Sequence, residues 1–260
     1  GKDYIQIKQK ESALHATAAP AAAELVLDRG DTAFMLICAA LVLLMTPALA
    51  FFYGGLAQRK NVLNTMMMSV AFMGLSSVLW VLCGYSLSFS GDLGGVIGNL
   101  KWFAFNGVGA EAGPYSDNIP NMGFALFQMM FAIITPSLIT GAVAGRMKFK
   151  AIFLFVFLWQ FVVYYPMAHM VWGGGFLAQI HAIDFAGGDV VHISSGVTGL
   201  VLALVLGKRR DYERLDYRPH NIPFVVLGAG LLWFGWFGFN AGAALASNGV
   251  ASNAFMTTNT

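Results

Sequence analysis

The amino-acid sequence predicts an all-α integral membrane protein, a bundle of six spanning helices, and three observations carry that prediction. Of its 260 residues, 57% are hydrophobic and 11% charged, with 30 Gly and 22 Phe. That profile leaves too little polar surface to clothe a water-soluble domain. The apolar residues gather into uncharged stretches long enough to cross ~30 Å of hydrocarbon, which takes about 20 helical residues. The charges sit in the links between stretches, and their sign alternates from link to link. Barrel strands of about 10 residues with alternating polarity are contradicted by apolar runs such as Met35–Phe52.

Residues 1–30 precede the first stretch. They hold no apolar run long enough for the core of a signal peptide, and Ala16–Ala23 is alanine-rich and low in complexity. We read 1–30 as a tether, a scar or the segment left after signal removal, and 31–260 as one membrane domain. The first span covers Thr32–Gln58 and the second Asn61–Gly91. Each carries one cysteine, Cys38 and Cys83, and without metal-ligand spacing both read as buried inert thiols. A long link, Asp92–Pro120, is punctuated by Gly and Pro and precedes the third span, Asn118–Gly145. The fourth covers Ala151–Ile183, the fifth and shortest Val190–Gly207, and the sixth lies after Arg218. Small-xxx-small spacing at Gly141/Gly145 and Gly238/Gly242 predicts close helix approach there.

Charge placement sets an orientation. The first link holds Arg59 and Lys60, the third Arg146, Lys148 and Lys150, and the fifth five basic residues against three acids. The second link is acid-rich, and the fourth holds only Asp184 and Asp189. Basic residues favour the cytoplasmic side, so links one, three and five are expected inside and the N-terminus outside, in a plasma or inner membrane. The net charge of +2 reflects this sidedness and gives no reason to expect nucleic-acid binding. Lys208–Pro219 is charged enough to dock a soluble partner.

The polar residues at membrane depth suggest the chemistry. Asp184-Phe-Ala-Gly-Gly-Asp189 runs directly into a span carrying His192 about one turn inside. Ionisable groups at that depth mark proton or substrate pathways. His169 precedes Trp172-Gly-Gly-Gly175, which breaks a helix and lets backbone approach a cavity; its imidazole reads as hydrogen-bonded structure. His181 and His220 read as exposed. Phe127 and Phe131 share one helix face, with Gln128 between them, and Trp236 and Phe239 form a second cluster. Aromatic faces hold a cation by ~0.5–2 kcal/mol. Rings at a mouth with neutral imidazole inside suit a small weak acid that is captured charged and then loses a proton. An intramembrane enzyme or haem carrier has little support: no Gly-x-Ser-x-Gly surrounds Ser194 and Ser195, and no Cys/His cluster is present. No metal or cofactor is expected.

Four segments then carry a resemblance. Phe51-Phe-Tyr-Gly-Gly55, Ala168-His-Met-Val-Trp-Gly-Gly-Gly175, Asp184-Phe-Ala-Gly-Gly-Asp-Val-Val-His192-Ile and Gly235-Trp-Phe-Gly-Phe-Asn-Ala-Gly242 resemble the ammonium transporter (Amt/Rh) family, on the Amt side, from about Asp31 onward. The resemblance implies a homotrimer in lipid with one pore per subunit, and eleven helices built as two inverted five-helix repeats plus a long last helix. This chain supplies the first repeat and one helix of the second, so alone it is not expected to close a pore. The resemblance also implies roles. Phe131 and Trp172, flanked by Phe127, recruit ammonium; Asp184 shapes that outer site without being a simple ligand. Phe131 and Phe239 gate the pore, and His192 and Trp236 line it, His192 being the first of two paired histidines. Ala243 stands where the family usually has a serine. Transport of ammonia or ammonium is the implied function, with a PII-type signalling protein at the cytoplasmic face. The alternative is an ammonium sensor joined to a signalling module.

Overall fold

The computed structural model describes residues 27–209, 212, 214 and 216–260. The alanine-rich run and most of the 1–30 segment lie outside the described residues. Six helices are long and apolar enough to span: α1 Arg29–Leu56, α2 Arg59–Phe89, α3 Asn121–Val143, α4 Phe149–Gln179, α5 Gly188–Leu206 and α6 Ile222–Gly242. The first five lie within a few residues of their sequence-predicted spans, because bulk hydropathy and charge mark where a chain leaves hydrocarbon. The first begins at Arg29, slightly earlier than expected, where the Asp28 carboxylate accepts the Asp31 N–H at 2.8 Å and caps the helix.

Three differences from expectation have local causes. The last apolar stretch forms two helices. After α6 a turn through 243–248 leads to α7, Gly249–Asn259, which Asn248 caps by accepting the Val250 and Ala251 N–H groups. The long second link carries a two-stranded antiparallel hairpin, β1 Ala112–Gly113 and β2 Ser116–Pro120. Third, Gly145 lies beyond the end of α3 at φ +69°, beside Asn61, so Gly141/Gly145 is no helix-packing pair. Gly141 alone makes the close approach, to the Tyr53 ring.

The Gly238/Gly242 expectation holds. Both face α1 at Cys38, and the same side of α6 continues through Gly228 and Gly235. A Cβ on Gly228 would lie 2.5 Å from the Phe52 nitrogen and 2.7 Å from the Ala48 carbonyl oxygen. Removing side chains there lets two backbones touch, which is how helices gain contact where lipid supplies no hydrophobic drive.

Spans α2 and α4 each contain a π-helical turn, Trp80–Gly84 and Gln160–Tyr164. They meet across a buried polar knot. Gln160 Nε2 donates to Ser76 Oγ at 2.6 Å, the Tyr165 hydroxyl donates to Gln160 Oε1 at 2.7 Å, and Trp80 Nε1 donates to the Ala125 carbonyl at 3.0 Å. In a low-dielectric interior such bonds are retained because an unpaired partner is costly.

The links sort onto two faces. On one, Arg146 donates to the Gly207 carbonyl and Arg209 to the Ala144 carbonyl, both at 2.8 Å, while the His220 N–H reaches Ala57. On the other, the Phe176 N–H donates to Gly95 and Asn118 donates to Asp31. Links one, three and five therefore share the basic face, and links two and four the acidic one.

Candidate functional site

Asp184 organises the acidic face. Its Oδ1 accepts the N–H groups of Gly187 and Gly188 at 2.6 and 2.8 Å, and its Oδ2 those of Asp189 and Val190 at 2.8 and 3.0 Å. These are the donors that the start of α5 would otherwise leave unpaired. Gly187 turns at φ +104°, where a side chain would be strained. The Asp184 backbone carbonyl accepts the Trp172 indole N–H at 2.9 Å. One residue thus fixes both the first turn of α5 and the ring at the break in α4, where the helix stops at Val171 before resuming at Phe176.

From Trp172 a file of rings runs inward. Trp172 meets Phe131 edge-on at 5.9 Å between centroids, and Phe131 meets Phe127 at 4.9 Å and Phe239 at 4.4 Å. Phe239 then meets His192 at 5.8 Å, and His192 lies nearly parallel to Trp236 at 5.5 Å. Phe127, Phe131 and Phe239 are each 1% exposed, so the file is closed at its centre. On the acidic side it opens into a cavity of about 410 Å³ lined by Tyr115, Phe127, Gln128, Phe131, Trp172, Asp184 and Ala243. On the basic side a cavity of about 720 Å³ reaches His192 past Tyr53, Asn61 and Arg209. A groove along His192, Trp236, Asn240 and α7 flanks the imidazole.

Phe127, Phe131, Trp172, Asp184, His192, Trp236, Phe239 and Ala243 thus lie along this file and its cavities, Ala243 at the wall of the first cavity and Trp236 and His192 beyond the phenylalanines. His169 is elsewhere. It is fully buried, with Nδ1 3.1 Å from the Ser88 carbonyl and Nε2 3.1 Å from Asp92 Oδ1. Its hydrogen bond, with that of the Gly95 amide, holds the Asp92 carboxyl below the usual carboxylate range. His181 and His220 are exposed. Cys38 is buried, and Cys83 is half-buried against the Leu79 carbonyl.

Among the cavity residues that sequence reasoning missed, Tyr115 is the polar one. It sits in the hairpin turn, packs flat on Phe124 at 5.2 Å, and donates its hydroxyl to the Phe89 carbonyl at 2.6 Å. Burial pushes that hydroxyl up to about 12. A lone tyrosine in a Gly/Pro-rich link carried no periodicity by which to find it.

The sequence model described as Ammonium Transporter Family matches residues 33–260. The chain belongs to the ammonium transporter family. Within it, the chain is 54% identical over 234 residues to the ammonium transporter of Bacillus subtilis, covering 90% of this chain and 57% of that protein. It is 51% identical over 255 residues to the ammonium transporter of Mycobacterium tuberculosis, covering 89% and 54%. Among solved structures of the fold, Candida albicans Mep2 superposes with a TM-score of 0.82 at 35% identity, over 90% of this chain and 52% of that one. A protein titled Sensor Amt Protein gives 0.81 at 28% identity, over 88% and 58%. The chain thus spans little more than half the length of these family members.

Proposed function

We propose that this chain forms the ammonium-recruiting half of a transport path through a cell membrane. The observation that carries the reading is the unbroken file of rings from Trp172 to His192, with a cavity at each end. Trp172, Phe131 and Phe127 present aromatic faces to an incoming cation, with Asp184 holding Trp172 in place. Such faces contribute ~0.5–2 kcal/mol each, far less than the cost of burying an unpaired ion. The captured ion therefore passes its proton to water in the open outer cavity before neutral ammonia crosses, and a current arises where that proton crosses separately, with His192 as a group able to relay it. Phe131 and Phe239, 4.4 Å apart, leave no room for a hydrated ion and act as the gate. Beyond them His192 offers an imidazole that donates or accepts, with Trp236 stacked on it.

In this reading the acidic face is outside and the basic face cytoplasmic. The working unit is a homotrimer, with a PII-type signalling protein as the partner of the basic face. The protein is a carrier of a small solute and needs no cofactor. The likeness to a solved sensor supports a second reading, ammonium binding coupled to signalling without substantial flux.

Currents evoked by ammonium in proteoliposomes holding the full-length protein test the two together. Transport predicts a saturating current that falls at least about tenfold for Phe131→Ala, and selectivity over potassium that degrades in His192→Ala. Saturable binding with neither current nor a rise in luminal pH, the sign of neutral ammonia entering, would replace transport by sensing.

A further inference from the structure

We infer that the side-chain amide of Gln128 supplies the hydrogen-bond acceptor for the cation held in the outer cavity. The inference rests on the reading of that cavity as an ammonium site and names the group that recognises the ion's N–H bonds. Aromatic faces answer the charge of ammonium and leave its four donors unpaired.

The polar side chains around the cavity are otherwise engaged. Both Asp184 oxygens already accept two backbone N–H groups each, the Trp172 indole is a donor alone, and the Tyr115 oxygen, the other side-chain acceptor at the cavity, belongs to a hydroxyl fixed on the Phe89 and Gly173 carbonyls. Position 243 offers a methyl group. Gln128 differs. It lines the cavity and is 8% exposed, and its Oε1 is buried with no hydrogen-bond partner among the described residues. An orphaned buried amide oxygen is costly, a cost that leucine at the same place would avoid. The residue lies between Phe127 and Phe131 on the face of α3 that lines the cavity. Its terminal torsion is broad, so the amide turns its oxygen toward a bound ion without moving the rings.

The test is ammonium binding by calorimetry on the purified full-length protein, with ammonium current as a second readout. Gln128→Leu is expected to raise the dissociation constant and the half-saturating concentration about tenfold or more, with the maximal current retained. Gln128→Glu, the same shape with a charge, is expected to bind more tightly at pH 8. Parent-like binding by the leucine variant would overturn the inference alone, and it is the result if a buried water is the amide's partner. Absence of ammonium binding by the parent would overturn the reading of the cavity along with it. Should the leucine variant fail to fold, weaker or unchanged binding by the glutamate variant overturns the inference.

Discussion

Four backbone N–H groups converge on the carboxylate of Asp184, and its replacement by asparagine is the residue-scale experiment with the clearest outcome. An amide keeps one oxygen and turns an NH₂ group toward donors. Asp184→Asn is therefore expected to cost on the order of 2–4 kcal/mol, read as a lower thermal midpoint in detergent. Trp172 hangs from the same residue, so its fluorescence should shift as well. The second residue-scale prediction concerns pH. His169 and Gly95 hold the Asp92 carboxyl below its ordinary value, so this contribution to stability is complete above the unfolded value of about 4. It is lost as pH falls through the lower folded value. The stability gap between the parent and Asp92→Asn should accordingly persist at neutral pH and close under acid, as thermal midpoints across a pH series would record. Neither role was legible in the sequence. The Asp-Phe-Ala-Gly-Gly run announced a tight acidic turn, yet the number of amides it would gather depends on backbone geometry that composition does not encode. The place of Gln128 in the cavity wall followed from its neighbours Phe127 and Phe131, but its orphaned oxygen appears only once the interior is packed.

Among elements, the six spans were readable because hydropathy and charge describe a solvent, and every spanning helix must answer to it. The π-helical turns at Trp80–Gly84, Gln160–Tyr164 and Gly188–Ile193 were hidden. Inserting a residue's worth of backbone changes which side chains face inward without changing how apolar the stretch is. The boundary between α6 and α7 had a mark, the Ser247-Asn248-Gly249 run that caps α7, but the small and apolar residues of 241–246 read as a continuation of the span. The hairpin in the second link is held by two short strands, too brief for an alternating pattern to show. Glycines on α6 were legible in part: Gly238 and Gly242 announced themselves by spacing, Gly228 and Gly235 only by contact. Gly228→Val would drive a side chain into the backbone of α1 at Ala48 and Phe52, where no flexible atom yields. The expected result is loss of the α1–α6 interface, by about 3 kcal/mol or more, seen as a collapse in the yield of monodisperse protein. Gly230→Ala, with open space around it, should be tolerated and serves as the control.

At the scale of the whole molecule, the alternation of charge read from the links corresponds to two distinct faces in the fold. Cysteines placed at Lys60 and Asp117 should react from opposite sides with a membrane-impermeant thiol reagent in oriented vesicles, Asp117 being the one accessible from outside. The crossed bonds at the basic face, Arg146 to Gly207 and Arg209 to Ala144, lead further. Under the proposed orientation these arginines act during synthesis as positive charge alone, one contribution to which way the chain is threaded. Once threading is complete, the same guanidinium groups clasp the ends of α3 and α5. The two duties are separated in time and differ in chemistry, since the first needs a charge and the second a fork of donors. Arg209→Lys should therefore enter the membrane in the correct sense and then hold itself together less firmly. Under the orientation proposed above, one pair of arginines would serve first as an address and afterwards as a fastening, and Arg209→Lys separates the two.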